Sequence, residues 1–193
     1  MKNKKLQKNS GFTLIETMFA VIIMAFSISV FMNVVANTLF SARYAKNEVV
    51  ANYLAQEAID YIRNDRDSMV FFSSDEFSQD TWGSFVNKYS DICTEKDGCE
   101  LGVLDQEGGV SPILRTCTTD LCSNFYYDPN PEDGSFYTYD LSDKPEKTKT
   151  TFSRKIQFTK ISDEMVKVKV TIYWKNGSRE SSRSLETTLT KWQ

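Results

Sequence analysis

The sequence predicts an α+β protein: a long N-terminal α-helix, apolar in its first half, packed by its second half against a small antiparallel β-sheet. Three observations predict it. No charged residue occurs between Glu16 and Arg43. No Pro or Gly interrupts the stretch from Phe12 to Asp67. Near the C-terminus, Val166, Val168, Val170, Ile172 and Trp174 alternate with Lys167, Lys169, Thr171 and Tyr173, the two-residue period of a half-buried strand.

Composition narrows the function. With 193 residues, of which 40% are hydrophobic, the chain can bury one real core. A net charge of −3 argues against nucleic acid as the main partner, because phosphate neutralisation wants a basic surface. Histidine is absent, which removes Ser-His-Asp and Cys-His catalysis and HExxH zinc sites; the expectation is that the protein is not an enzyme and carries no cofactor. Charge is unevenly placed: +4 over residues 1–11, −2 over 12–67, −10 over 68–150 and +5 over 151–193. The expected organisation follows: a basic leader at 1–11, a membrane-type helix at 12–42, and its amphipathic continuation at 43–67. An acidic, cysteine-containing region of loops and short elements occupies 68–150, and an antiparallel β-meander 151–193.

The uncharged run after Glu16 exceeds the roughly 20 residues a helix needs to cross a bilayer. Lys2, Lys4, Lys5 and Lys8 precede it, which places the leader in the cytoplasm and the C-terminal bulk outside. A signal peptide or uncleaved anchor shares that polarity, but a signal peptide has a short apolar core ending in a small-x-small site. Glu16 is the more telling residue. An ionised side chain inside an apolar segment costs on the order of 3 kcal/mol or more, so this carboxylate needs a partner. Cutting after Gly11 would create one, the α-ammonium of Phe12.

This leader, with Gly11, Phe12-Thr-Leu-Ile-Glu16 and a long apolar helix, resembles the processing site of type IV pilins and pseudopilins. The resemblance implies a prepilin peptidase that cuts after Gly11 and methylates the new amino terminus at Phe12. It implies that Glu16 pairs with a terminus during filament assembly and so sets the register. It further implies a type IV pilin-like fold, an inner-membrane assembly platform and other pilin or pseudopilin subunits as partners, with lipid around the helix before assembly. One departure concerns Phe31-Met32-Asn33-Val34, where many major pilins carry a helix-kinking proline. Asn33 and Asn37 in that stretch could hydrogen-bond across helices.

Beyond the membrane segment, Val50, Leu54, Ala58 and Ile62 repeat every four residues, flanked by Val49, Tyr53 and Tyr61. A continuous helix from Phe12 to Arg66 would be about 80 Å long. In the tail, residues 152–161 and 164–174 read as strands, and Asn176-Gly177 as a two-residue type I′ turn. That turn pairs Trp174 with Arg179, Val168 with Leu185 and Val166 with Thr187, putting Leu185 and Leu189 on the valine face. The tail motif Phe152-Ser-Arg154-Lys-Ile156, together with the helix segment Leu54-Ala-Gln-Glu57-Ala-Ile59, resembles the PilV-like minor pilins. Type II secretion pseudopilins share the architecture, and an uncleaved membrane-anchored binding module stays open as well.

In the acidic middle, Trp82, Phe85, Val86 and Tyr89 predict a short helix near 80–90, followed by loops carrying Gly108-Gly109, Pro112, Pro129 and Pro131. Cys93, Cys99, Cys117 and Cys122 lack paired C-x₂-C spacing, so disulfides are expected over a metal. Of the three possible pairings, the local bridges Cys93–Cys99 and Cys117–Cys122 are the first choice. Asp128-Pro-Asn130-Pro-Glu132-Asp133-Gly134 offers hard oxygen ligands but lacks the glycine position and closing glutamate of an EF-hand, so a solvated turn is expected. The aromatic runs Phe125-Tyr126-Tyr127 and Phe136-Tyr137-Thr-Tyr139 are expected to pack in strands or loops.

Overall fold

A computed structural model of the chain describes residues 11, 13–72, 81–106, 109–117, 122–129, 137–139 and 147–191. The chain divides into two compact units, Met1–Tyr44 and Ala45–Gln193. The described part of the first unit is the start of a single helix, α1 (Leu14–Phe72), whose residues there are almost all exposed, including Phe19, Ile22, Phe26 and Phe31. α1 alone among the described residues is long and apolar enough to cross a membrane.

In the second unit α1 turns amphipathic. Ala51, Leu54, Ala55, Ala58, Ile59 and Ile62 are buried, at the helical spacing of one continuous stripe. The three alanines leave room for the helix backbone to approach the sheet, while Leu54, Ile59 and Ile62 supply the apolar volume. Val49 and Tyr53, expected beside the stripe, instead point outward at 53% and 69% exposure. The helix runs on to Phe72, past the Arg66 end read from the sequence, and Arg66 and Asp67 pair at 2.8 Å near its close.

Among the described residues the sheet has seven strands: β1 (Cys99–Gln106), β2 (Gly109–Thr116), β3 (Asn124–Tyr127), β4 (Tyr137–Thr138), β5 (Thr148–Lys160), β6 (Met165–Asn176) and β7 (Arg179–Thr190). The expected meander is its C-terminal half, β5-β6-β7. Ile156, Phe158, Val166, Val168, Val170, Ile172, Trp174 and Leu189 are buried, and the alternation puts them on one face. Each such side chain contributes roughly 1.5–3 kcal/mol of burial, which makes this face and the α1 stripe the centre of the core. The opposite face of β6 and β7 is polar: Thr171 bonds Ser184 at 2.9 Å, and Lys169 pairs with Glu186 at 3.4 Å.

The hairpin register differs from the sequence reading by one turn position. Asn176 pairs with Arg179, so the two loop residues are Gly177-Ser178. Trp174 therefore faces Ser181, Val168 faces Thr187, Val170 faces Leu185 and Val166 faces Leu189. Only Gly177 has positive φ (63°), which fits a turn with glycine first, the type II′ pattern, rather than type I′ with two such residues. Asn176 stays in the strand, where its Oδ1 accepts from Asn47 Nδ2 of α1 at 3.2 Å. Because the shift preserves side-chain parity, Leu185 and Leu189 keep the valine face.

The middle region is more ordered than its sequence suggests. The short helix is α2 (Thr81–Ser90), with Trp82, Phe85, Val86 and Tyr89 buried. Phe85 and Tyr89 lie against Phe158 at centroid distances of 5.9 and 5.5 Å, and Trp82 Nε1 donates to Asp163 O at 2.7 Å. Four further strands, β1 to β4, join the sheet from this region. Pro112, read as a loop residue, sits in β2 opposite Val103. β2 is an edge strand, where a missing N–H is tolerated. β5 is the hub: β6 covers one edge, while β3 (Asn124↔Ser153) and β1 (Cys99↔Ile156) share the other in succession.

Candidate functional site

The processing segment lies at the start of α1. Gly11 is exposed, and a Cβ placed there would meet nothing within 4 Å. Residues 1–10 and Phe12, the leader and the methylation position read from the sequence, lie outside the described residues. Thr13 precedes the helix, its carbonyl accepting from Glu16 N (3.1 Å) and Thr17 N (3.3 Å). Glu16 therefore stands in the first turn, where the unsatisfied N–H groups of the helix favour negative charge. Thr13-x-x-Glu16 also has the spacing of a capping box, a signal the sequence reading did not use. The Glu16 side chain is exposed and makes no hydrogen bond or ion pair among the described residues.

Five polar side chains of the apolar stretch turn back on their own helix. Thr17 Oγ1 bonds Leu14 O, Ser27 Oγ bonds Ile23 O, Ser29 Oγ bonds Ala25 O and Thr38 Oγ1 bonds Val34 O, at 2.8–3.0 Å. Asn33 Nδ2 donates to Ser29 O at 3.2 Å, which uses one of its two N–H groups. Such back-bonding hides hydroxyls and amides from hydrocarbon. A carboxylate cannot do the same, since it only accepts.

In the second unit the two cysteine pairs are bridged locally: Cys93–Cys99 with Cα atoms 4.5 Å apart, and Cys117–Cys122 at 4.8 Å. The first bridge closes a loop that sits on β5. Lys155 Nζ donates to Lys96 O (3.0 Å), Gln157 Nε2 to Glu95 O and Thr159 Oγ1 to Glu95 Oε1 (2.6 Å). Gly98 holds the loop's return at φ 67°, with the Lys155 stem directly against it. Cys117 N donates to Gly98 O at 3.2 Å, linking the two bridged loops.

Two further networks fix α1 to the rest of the unit. Asp65 accepts from Lys88 Nζ (2.8 Å) and Tyr89 Oη (2.9 Å) of α2. Burial, reinforced by the Asp65 charge, holds the Tyr89 phenol far above its ordinary pKa of 10. Arg154 of β5, 3% exposed, reaches Leu54 O, Glu57 Oε2 and Leu101 O and stacks over Phe125. The alternation of Phe152, Ile156 and Phe158 puts Arg154 on the core face, but it does not say which groups meet the guanidinium there.

No group of three or more His, Cys, Asp or Glu side chains that could hold a metal occurs among the described residues. Of the acidic turn weighed as a calcium loop, residues 130–134 lie outside them; Asp128 is buried and 3.9 Å from Lys147. Phe125 is buried, with Tyr139 stacked on it at 4.3 Å and Tyr137 edge-on at 6.4 Å, so this aromatic cluster is packing.

Comparisons with curated proteins and with solved structures find no match. Residues 6–32 match the family model of the prokaryotic N-terminal methylation motif. The matched stretch runs from the basic leader through Gly11 and Glu16 into the apolar helix, and it supports a type IV pilin-family precursor.

Proposed function

We propose that this chain is the precursor of a structural subunit of a type IV pilus-type filament, a minor pilin or pseudopilin. The carrying observation is the coincidence of the methylation motif at residues 6–32 with the start of one long helix that bears a solitary acid on its first turn. Prepilin peptidase would cut after Gly11 and methylate Phe12. Before assembly the first half of α1 is a single-pass anchor in the inner membrane, with the leader inside and the sheet-bearing unit outside. During assembly an inner-membrane platform draws it from lipid into contact with other pilin or pseudopilin subunits. There the Phe12 ammonium of a neighbour meets Glu16, and because one buried charge without its partner costs far more than a matched pair, only one axial register is favoured.

Within that class, the PilV-like minor pilin reading is supported by the meeting of the two segments that carry the resemblance: Arg154 and Glu57 are hydrogen-bonded at 3.0 Å. The type II secretion pseudopilin is the second reading, sharing the same helix-on-sheet layout. No catalytic role is proposed. The deciding experiment is the intact mass of the protein purified from membranes. Loss of residues 1–11 with gain of one methyl group is expected. A chain that keeps its leader would be a plain membrane anchor and overturns the proposal. Co-purified subunits then separate pilus from secretion use.

A further inference from the structure

β1 and β3 lie along the same edge of β5 but pair with different parts of it, Ile156 and residues 148–153. Between them is a cavity of about 240 Å³ lined by Glu100, Arg115, Asn124, Tyr126, Tyr139 and Lys149 among others. Strand alternation turns Glu100 and its cross-strand neighbour Arg115, and Tyr126 and its neighbour Lys149, to the face away from α1.

The chemistry of the lining is specific. Arg115 and Lys149 are exposed cations that make no ion pair among the described residues. Glu100 is 7% exposed and accepts from Ser123 N at 2.8 Å with one oxygen, leaving the other for a hydroxyl donor. Tyr139 Oη is buried and makes no hydrogen bond of good geometry among the described residues, with Arg154 as its polar neighbour. A buried hydroxyl without a well-made bond is uncommon, since leaving it unmade costs about 1–3 kcal/mol. Burial chiefly, opposed by the charge and hydrogen-bonding groups of Arg154 and assisted by the Glu100 charge, keeps this phenol protonated and therefore a donor. The half-buried ring of Tyr126 adds an apolar wall.

We propose that this cavity binds one carboxylated sugar residue, of hexuronate type, from an acidic polysaccharide. Arg115 and Lys149 take the carboxylate, Tyr139 Oη and Glu100 bond ring hydroxyls, and Tyr126 lies along the C–H face. The space suits a single ring and is below the usual size of a drug-type pocket. A bare anion would bring no donor to the second Glu100 oxygen, and a neutral sugar would not need two cations.

The test is titration of the full-length protein in detergent with sodium glucuronate, glucose and sodium acetate, read by saturation-transfer NMR. Glucuronate is expected to saturate with Kd of about a millimolar, at least tenfold below either control. Lys149→Ala and Arg115→Ala are each expected to weaken it about tenfold, and Tyr139→Phe, which keeps the ring stacked on Phe125, by a similar factor. The two cation variants alter exposed side chains and should leave the near-ultraviolet circular dichroism unchanged. Absence of glucuronate saturation overturns the proposal. So do equal binding of acetate, equal binding of glucose, or undiminished binding in the Arg115→Ala/Lys149→Ala double variant. The measurement reads the second unit alone and is independent of processing at Gly11.

Discussion

Arg154 Nη1 hydrogen-bonds Glu57 Oε2 at 3.0 Å and Leu54 O at 2.9 Å, while Nη2 reaches Leu101 O at 2.8 Å. One guanidinium thus ties α1, β5 and β1 together, from a position 3% exposed. The two ends of the ion pair are unequal: the Arg154 side chain is 4% exposed and that of Glu57 is 48%. Arg154→Ala orphans Leu101 O and empties the space over Phe125, for an expected loss of about 3 kcal/mol. Glu57→Gln keeps an acceptor at a half-exposed site and is expected to cost no more than about 1 kcal/mol. Urea unfolding of the full-length protein, followed by tryptophan fluorescence, separates the two; equal costs would show that the lock resides in the charge pair.

The two positive-φ glycines give a second contrast. At Gly177 (φ 63°) a Cβ would meet nothing within 4 Å, so Gly177→Ala carries only left-handed strain, about 1–2 kcal/mol. At Gly98 (φ 67°) a Cβ would stand 2.7 Å from Lys155 Cγ and 3.0 Å from Ile156 O, and the backbone oxygen cannot swing aside. Gly98→Ala is expected to destabilise by at least about 1 kcal/mol more than Gly177→Ala. Paired thermal melts check the order.

The Asp65 network predicts sensitivity to alkali. Tyr89 and Tyr61 both have raised pKa values, chiefly through burial and then through the Asp65 charge, with Tyr61 pushed up to about 12. Between pH 10 and 12 the unfolded state therefore loses phenolic protons that the folded state keeps, so stability falls as pH rises. It is fully present below pH 10. The melting temperature of wild type should drop across that window more steeply than that of Tyr89→Phe, because the variant no longer contributes one of the protons. Parallel slopes would remove Tyr89 from the account.

Glu16→Val tests assembly apart from insertion. The substitution extends the apolar run, so membrane fractionation should be unchanged. Without its acid the neighbouring ammonium stays unmatched on burial, and the yield in sheared filaments is expected to fall at least about tenfold. Quantitative immunoblots of both fractions measure this. Normal incorporation would disprove the pairing role.

Local chemistry in the sequence determined much of this protein. A leader of lysines, a glycine, one acid and an uncharged run carry the methylation motif and the apolar start of α1 without any tertiary partner. Helical spacing from Trp82 to Tyr89 marked α2, and the alternation from Val166 to Trp174 chose the face of β6. Because parity survives a shift of the turn, Leu185 and Leu189 fell on the right side even though Gly177-Ser178 forms the loop. Periodicity reports which side of an element is buried, but not what covers it. Only the tertiary structure decided that β1 to β4 extend the sheet, that β1 and β3 divide one edge of β5, and that Arg154 finds two acceptors on α1 and one on β1. Those outcomes depend on hydrogen bonds between residues tens of positions apart, whose geometry exists only once the chain has closed around its core.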